Sequence, residues 1–292
     1  MSGATQELLE SPKSGAPKIK ILHEPTAAEP FVVLSKPQGL PSAPLVLGDP
    51  SALTECARLF PKVQNVCGKK AVEGGLLHRI DTATRGLLLV AESQEFYDHM
   101  IAAQEKGLFV KGYKADCDID ADNAAALGGF PPLSAQAQKA AASLSCGKSS
   151  SGLCGLELSS YFRPFGKGGA QVRPVLPTSN AAALKKLGSK KLYSTKIAAA
   201  DFGLEIGSRA APLGLSKPSV RAECKIAQGY RHQVRCHLAW LGLPVRGDRL
   251  YNRAFNTDGS DSAQNAAEMR FAAVSLEFPD LFSDKIFKFS LD

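Results

Sequence analysis

The segment GGLLHRIDTATRGLLLVA, residues 74–91, limits the folds open to this chain more than any other feature. It delivers a histidine, an arginine and an aspartate (His78, Arg79, Asp81) on a polar turn and then runs straight into GLLLVA, an apolar stretch of strand length. A short apolar run bounded by turn signals fits a strand buried on both faces. A charged turn at the mouth of a rigid buried strand is a common way to build a site. An ion-paired turn that merely caps a strand is the plain alternative.

Around this segment the pattern predicts many strands and few helices. Ile19–Leu22 and Phe31–Leu34 are apolar and β-branched and read as short strands. SKPQGLPSAP, residues 35–44, is a loop on its prolines and glycine. SALTECARLF, residues 51–60, has apolar residues at helical spacing behind a serine that can cap it. Residues 93–106 read as a helix between Ser93 and Gly107. Phe109–Cys117, residues 192–206 and Val220–Ala227 alternate as strands. HQVRCHLAWLG runs as a helix to Gly242, and Phe271–Leu291 holds two strands around Pro279. Residues 121–158 are dominated by Ala, Ser and Gly, and their centre, LSAQAQKAAASLS, reads as a short surface helix within a variable insertion. The first 19 residues read as a polar tail. With no regular βαβ alternation, the fold class is α+β, a mixed and mainly antiparallel sheet with flanking helices.

Charge and cysteines narrow the function. The 292 residues carry a net charge of +7, which favours polyanionic partners through phosphate contacts. Seven cysteines, with no close Cys-x-x-Cys pair, argue against a disulfide framework and a zinc site. No signal-peptide core stands at the N-terminus, and no apolar run is long enough to cross a bilayer. A soluble, cytoplasmic protein with reduced, mostly buried thiols is expected.

Two further segments carry chemistry. In KGYKA, residues 111–115, Lys111, Tyr113 and Ala115 share one face of a strand. Tyr113 either offers a flat ring to a base or fills the core. In GYRHQVRCHLAWLGLPVRGDRLY, residues 229–251, Arg231, His232, Gln233 and Arg235 gather donors suited to phosphates, carboxylates or base edges at the start of a helix. A solvated basic helix face is the alternative. His232 and His237 lie five apart, not the four that align two metal ligands on one helix face.

These segments together resemble the RluA family of RNA pseudouridine synthases. The family's HR-(Leu or Ile)-D-x-x-T-x-G motif stands here as His78 to Gly86, its lysine-x-tyrosine-x-alanine strand as Lys111 to Ala115, and its glycine-led HQ-(Ile or Val)-R-x-H helix start as Gly229 to His237. G-x-P-x-x-GD-x-x-Y follows at Gly242 to Tyr251, and a K-P-x-G-L-P loop precedes them at Lys36 to Pro41. The matches keep the family's order. The chain departs from the family at Tyr230, where arginine is common, at Arg231, where threonine or lysine is usual, and at Arg85, where serine or alanine is usual.

The resemblance implies a pseudouridine synthase domain over residues 20–292 with an insertion near 118–158. It implies uridine isomerisation in RNA without a cofactor or metal. It casts Asp81 as the catalytic carboxylate, Arg235 as its partner and Tyr113 as the ring that stacks on the target uracil. It implies RNA contacts from His78, Arg79, Lys111, Arg231, His232 and Gln233, with Arg79 entering the space that a flipped nucleotide leaves. Lys69, Lys70, Lys114, Arg163 and Arg173 are further basic candidates for the approach, and Asp248 is read as holding a turn. Ribosomal RNA is favoured over transfer RNA, and a monomer is expected. The rival readings are a catalytically silent RNA-binding protein on the same scaffold and a glycosidase, which would want a second catalytic carboxylate.

Overall fold

Burial on both sides of one sheet accounts for the apolar runs in the sequence. The computed structural model describes residues 18–145, 151–203, 219–255 and 268–291; the N-terminal tail lies almost wholly outside these, as do residues 204–206 of the strand expected over 192–206. In chain order the elements are β1 (Lys20–His23), β2 (Phe31–Lys36), α1 (Ala52–Leu59), β3 (Arg85–Ala91), α2 (Gln94–Glu105), β4 (Val110–Asp118), α3 (Asn123–Leu127) and α4 (Ala135–Ser145). There follow β5 (Glu157–Phe165), β6 (Gln171–Val175), α5 (Ala181–Lys185), β7 (Tyr193–Gly203), β8 (Ser219–Ile226), α6 (Gln233–Trp240), β9 (Phe271–Pro279) and β10 (Ile286–Ser290).

The strands join in the order β1-β2-β3-β9-β4-β8-β7-β5-β6, with β10 pairing β9 from off this path. Only the β3–β9 pair is parallel among the described strands. The fold is α+β with a largely antiparallel sheet, as the sequence pattern predicts.

Side chains of β2 and β3 alternate between two cores. Val32, Leu34, Leu88 and Val90 enter one with α1, α4 and α6. Phe31, Val33, Leu87 and Leu89 enter the other against Phe96, Tyr97 and Met100 of α2. Ser51 and Ser93 cap α1 and α2 by accepting the backbone N–H groups of Thr54 and Phe96, which satisfies a donor that the helix cannot.

The structure changes two expectations. The helix in the insertion is not a surface helix: Ala137, Ala140 and Leu144, at spacings of three and four, bury in the larger core. Alanine-rich composition hides this stripe because small apolar residues give little contrast. Strands β5 and β6 fall in a stretch where the sequence pattern predicts no strand; prolines at Pro164 and Pro174 and glycines between them mask their alternation.

The parallel β3–β9 pair is where the carboxylate turn meets the far half of the sheet. Arg85 and Gly86 register with Ala272 and Ala273. Gly86 has φ of 127°, and a Cβ there would collide with the Ala273 carbonyl oxygen. Only glycine meets both demands. Gly86→Ala is expected to destabilise the protein by more than about 2 kcal/mol, read as a fall in the urea midpoint; an unchanged midpoint would mean that the pairing tolerates a side chain.

Candidate active site

The Asp81 turn is clamped from below by the proline-rich loop. Ser42 Oγ donates to the Ile80 carbonyl at 2.7 Å and accepts the Ile80 N–H at 3.1 Å. Gly39 N–H donates to the Thr82 carbonyl. Lys36 is fully buried, and its ammonium donates to the carbonyls of Pro37 (3.0 Å), Leu40 (2.6 Å) and Thr82 (3.3 Å). Burial lowers the Lys36 pKa to about 8, with Asp81 pulling the other way. The backbone on both sides of Asp81 is therefore fixed by groups from one loop.

The other half of the site comes from the start of α6. Arg235 is almost wholly buried. Its Nε and Nη2 each donate to Asp248 at 2.7 Å, and its Nη1 donates to Asp81 Oδ2 at 2.6 Å. Burial by itself would lower its pKa, but the carboxylates of Asp248 and Asp81 outweigh it and raise the pKa above the ordinary value. Asp248 has no exposed surface and also accepts the N–H groups of Leu250 and Tyr251. It holds the turn, as expected, and it also sets the guanidinium; the GD-x-x-Y pattern signals the turn, while nothing in the spacing announces the ion pair.

His232 stands beside the pair in the left-handed region, with φ of 57°. Its Nε2 lies 3.6 Å from Asp81 Oδ1, and its Nδ1 lies 3.1 Å from the Tyr251 hydroxyl. That hydroxyl accepts the Val172 N–H at 2.8 Å. The Tyr251 hydroxyl thus links the His232 ring to the backbone of β6. Burial lowers the His232 pKa to about 4 against the pull of Asp81.

A cavity of about 1040 Å³ opens over these groups, and Asp81, Tyr113 and Arg235 all line it, as do Lys111, His78 and Arg79. Tyr113 is 7 % exposed, and its ring stacks on Phe271 at 5.2 Å with 8° between planes. Tyr113 therefore packs against Phe271 and contributes to the cavity wall. Lys111 is buried, donates to the carbonyls of Phe109 and Ala227, and has its pKa lowered to about 7 by burial and by Lys69. Arg79 is more than half exposed and pairs with Glu73 at 2.9 Å. His78 accepts the Leu89 N–H through Nε2, and its Nδ1 has no partner.

Several residues differ from their expected roles. The Gln233 amide is committed inside the protein: it accepts the Tyr230 N–H and donates to Ser194 O and Thr195 Oγ1. It therefore fixes the loop before α6 and has no donor left for RNA. Arg173 does not line an approach; it is fully buried, donates to three carbonyls and lies over the rings of Phe130 and Phe165. Arg231 donates to the carbonyls of Gly169 and Gln171 and ties its loop to the β5–β6 hairpin. Lys114 pairs with Glu223. Phe271, Tyr251 and Lys36 support the site without being among the expected site residues: Lys36 and Tyr251 stand in the motifs without an assigned role, and Phe271 lies outside them.

Among the described residues, no group of three or more His, Cys, Asp or Glu side chains could hold a metal ion, and no helix is long and apolar enough to cross a membrane. Cys56, Cys117, Cys224 and Cys236 are buried, and Cys67 and Cys154 are exposed.

A largely antiparallel sheet thus sets a carboxylate–guanidinium pair at the wall of a cavity of about 1040 Å³. The sequence profile described as RNA pseudouridylate synthase matches residues 30–240. The chain belongs to the RNA pseudouridylate synthase family and is a pseudouridine synthase enzyme that acts on RNA. No curated protein sequence matches it. Its fold is similar to that of human RNA pseudouridylate synthase domain containing 1 (TM-score 0.56, 17 % identity, covering 94 % of this chain and 83 % of that one). It is also similar to human RNA pseudouridylate synthase domain containing 4 (TM-score 0.52, 16 % identity, 93 % and 87 %).

Two outcomes test this geometry. Asp248→Ala leaves the buried guanidinium half-paired and should cost about 3–5 kcal/mol, measured by urea unfolding; a loss within error of zero would show that Asp81 alone can hold Arg235. The second concerns pH. His237 is fully buried between Ser160 Oγ and Thr195 Oγ1, each at 2.9 Å, and burial lowers its pKa from 6.5 to about 3. The folded protein takes up this proton later than the unfolded chain, so its contribution is intact above about pH 6.5 and is lost as the pH falls from there toward 3. His237→Asn should remove about 1.4 kcal/mol per pH unit from the slope of stability between pH 6 and pH 5. An unaltered slope in paired urea titrations would contradict a neutral buried ring.

Proposed function

We propose that this enzyme is of the RluA type and that it isomerises specific uridines with Asp81 as the catalytic carboxylate. The observation that carries the reading is the 2.6 Å contact between Arg235 Nη1 and Asp81 Oδ2 at the wall of a cavity of about 1040 Å³. Arg235 occupies Oδ2 of the carboxylate, and Oδ1 lies 3.6 Å from His232 Nε2. The reaction breaks the bond from uracil N1 to ribose C1′ and forms one from C5 to C1′. C5 gives up a proton and N1 gains one, so the composition of the RNA is unchanged and no redox partner is consumed. A carboxylate serves this chemistry by attacking the sugar or by stabilising positive charge on it.

The target nucleotide is extruded into the cavity, at a cost of about a few kcal/mol that is least in loops. Tyr113, braced by Phe271, stacks on the uracil. Arg79 stands more than half exposed among the cavity-lining residues and fills the gap left in the RNA. Arg231 faces the RNA from the exposed rim of the cavity, and Lys111 and His232 line its wall. Ribosomal RNA is the favoured substrate, and the protein acts in the cytoplasm as a monomer without a cofactor.

Pseudouridine mapping of total RNA with and without the gene tests activity and target together. Purified Asp81→Asn should bind RNA as the wild type does and form no product. Turnover by a folded Asp81→Asn protein would remove Asp81 from the reaction, and wild-type binding with no product in any RNA would favour the silent RNA-binding scaffold.

A further inference from the structure

The positive charge of this protein is concentrated in one stretch. Residues 158–200 contain Arg163, Lys167, Arg173, Lys185, Lys186, Lys190, Lys191 and Lys196 and no acidic residue. That stretch alone contributes +8 against a net charge of +7, so the rest of the chain sums to −1. It forms most of β5, all of β6 and α5, and the start of β7, at one end of the sheet. Four of its lysines, Lys185, Lys186, Lys190 and Lys191, lie within seven residues, are all exposed and pair with no acid among the described residues. Exposed like charges this close repel one another, and nothing described in the fold offsets them.

This stretch touches the cavity wall at two points. The lysine loop is pinned at Gly188, whose N–H donates to the Phe162 carbonyl at 2.9 Å. Any Cβ at Gly188 would collide with the Tyr230 hydroxyl, and Tyr230 lines the cavity. The Tyr230 ring stacks on Phe162 at 5.0 Å with 5° between planes. Arg231, the next residue, donates to Gly169 and Gln171 of the hairpin. Tyr193, at the start of β7, donates its hydroxyl hydrogen to Ser189 within the loop.

We propose that the lysine loop, residues 185–191, is a docking strip for the sugar–phosphate backbone of the substrate RNA on one side of the extruded nucleotide, with Tyr230 as the bridge from cavity to strip. The inference rests on the reading of the cavity as the uridine site. An RNA seated there must carry its flanking phosphates across the adjoining surface, and this loop supplies unpaired cations next to the wall. Lysine suits the task, because an ammonium on a flexible stem follows a backbone without demanding one phosphate geometry. The strip strengthens binding and leaves the reacting atoms alone.

The test uses the full chain carrying Lys185→Gln, Lys186→Gln, Lys190→Gln and Lys191→Gln together, with transcribed large-subunit ribosomal RNA as the probe. Binding is measured in the Asp81→Asn background, so that it is read without turnover. The slope of log affinity against log salt should fall by about 0.7–0.9 for each phosphate that the strip no longer neutralises. In the active enzyme KM should rise at least about tenfold with kcat retained at saturating RNA. Arginine at the same four positions should restore the slope. A slope equal to that of the parent protein, or a kcat loss with no change in KM, would overturn the strip. Absence of pseudouridine from every RNA offered to the wild-type enzyme, total cellular RNA included, is a separate readout and would overturn the reading of the cavity, whatever the slope.

Discussion

One guanidinium holds the site together. Arg235 uses Nε and Nη2 on Asp248 and has Nη1 left for Asp81. The planar fork makes this division possible: two parallel bonds fix the plane of the group, and the third nitrogen then points in a set direction. A lysine has no such plane. The orientation is inherited in turn from the turn after α6, because Asp248 spends its remaining lone pairs on the N–H groups of Leu250 and Tyr251. The direction of the guanidinium at the cavity wall is thus decided by backbone conformation thirteen residues along the chain. Burying so much charge is costly unless partners are in place, and here Asp248, with no exposed surface, accepts four hydrogen bonds.

Much of the fold is legible in the sequence because its elements announce themselves by period. The runs FVVL and GLLLVA are apolar throughout since β2 and β3 bury both faces, and Val220, Ala222, Cys224 and Ile226 alternate because β8 buries one. Helix α4 is legible as a helix but not as part of the core, since alanine stripes carry no contrast in hydrophobicity. Strands β5 and β6 escape because proline and glycine are ordinarily signs of loops. In the site, Asp81, Tyr113 and Arg235 can be named from motif resemblance, and the fold gathers them around one cavity. The roles of the supports cannot: Lys36 and Tyr251 stand within motifs that do not say what they hold, and Phe271, which stacks on Tyr113, lies outside any motif. Gln233 and Arg173 show the reverse error: polar residues in a basic-looking stretch read as surface donors, when their hydrogen bonds are consumed indoors.

The cavity carries less fixed charge than its composition suggests. Lys36 and Lys111 both have lowered pKa values, about 8 and about 7, because their ammonium groups are removed from water. His78 and His232 lie far below their ordinary value for the same cause. Near neutrality Lys36 keeps most of its charge close to Asp81 and Lys111 only part of its own, while the carboxylates of Asp248 and Asp81 hold the Arg235 guanidinium charged.

The acid and its partner are separated by 154 positions in the chain. During synthesis on a ribosome, Asp81 leaves the exit tunnel long before α6 has been made. Lacking Arg235, a growing polypeptide holds the acid on a turn with half of its cavity missing. On the proposed role of Asp81, the site is therefore complete only once the late segment docks.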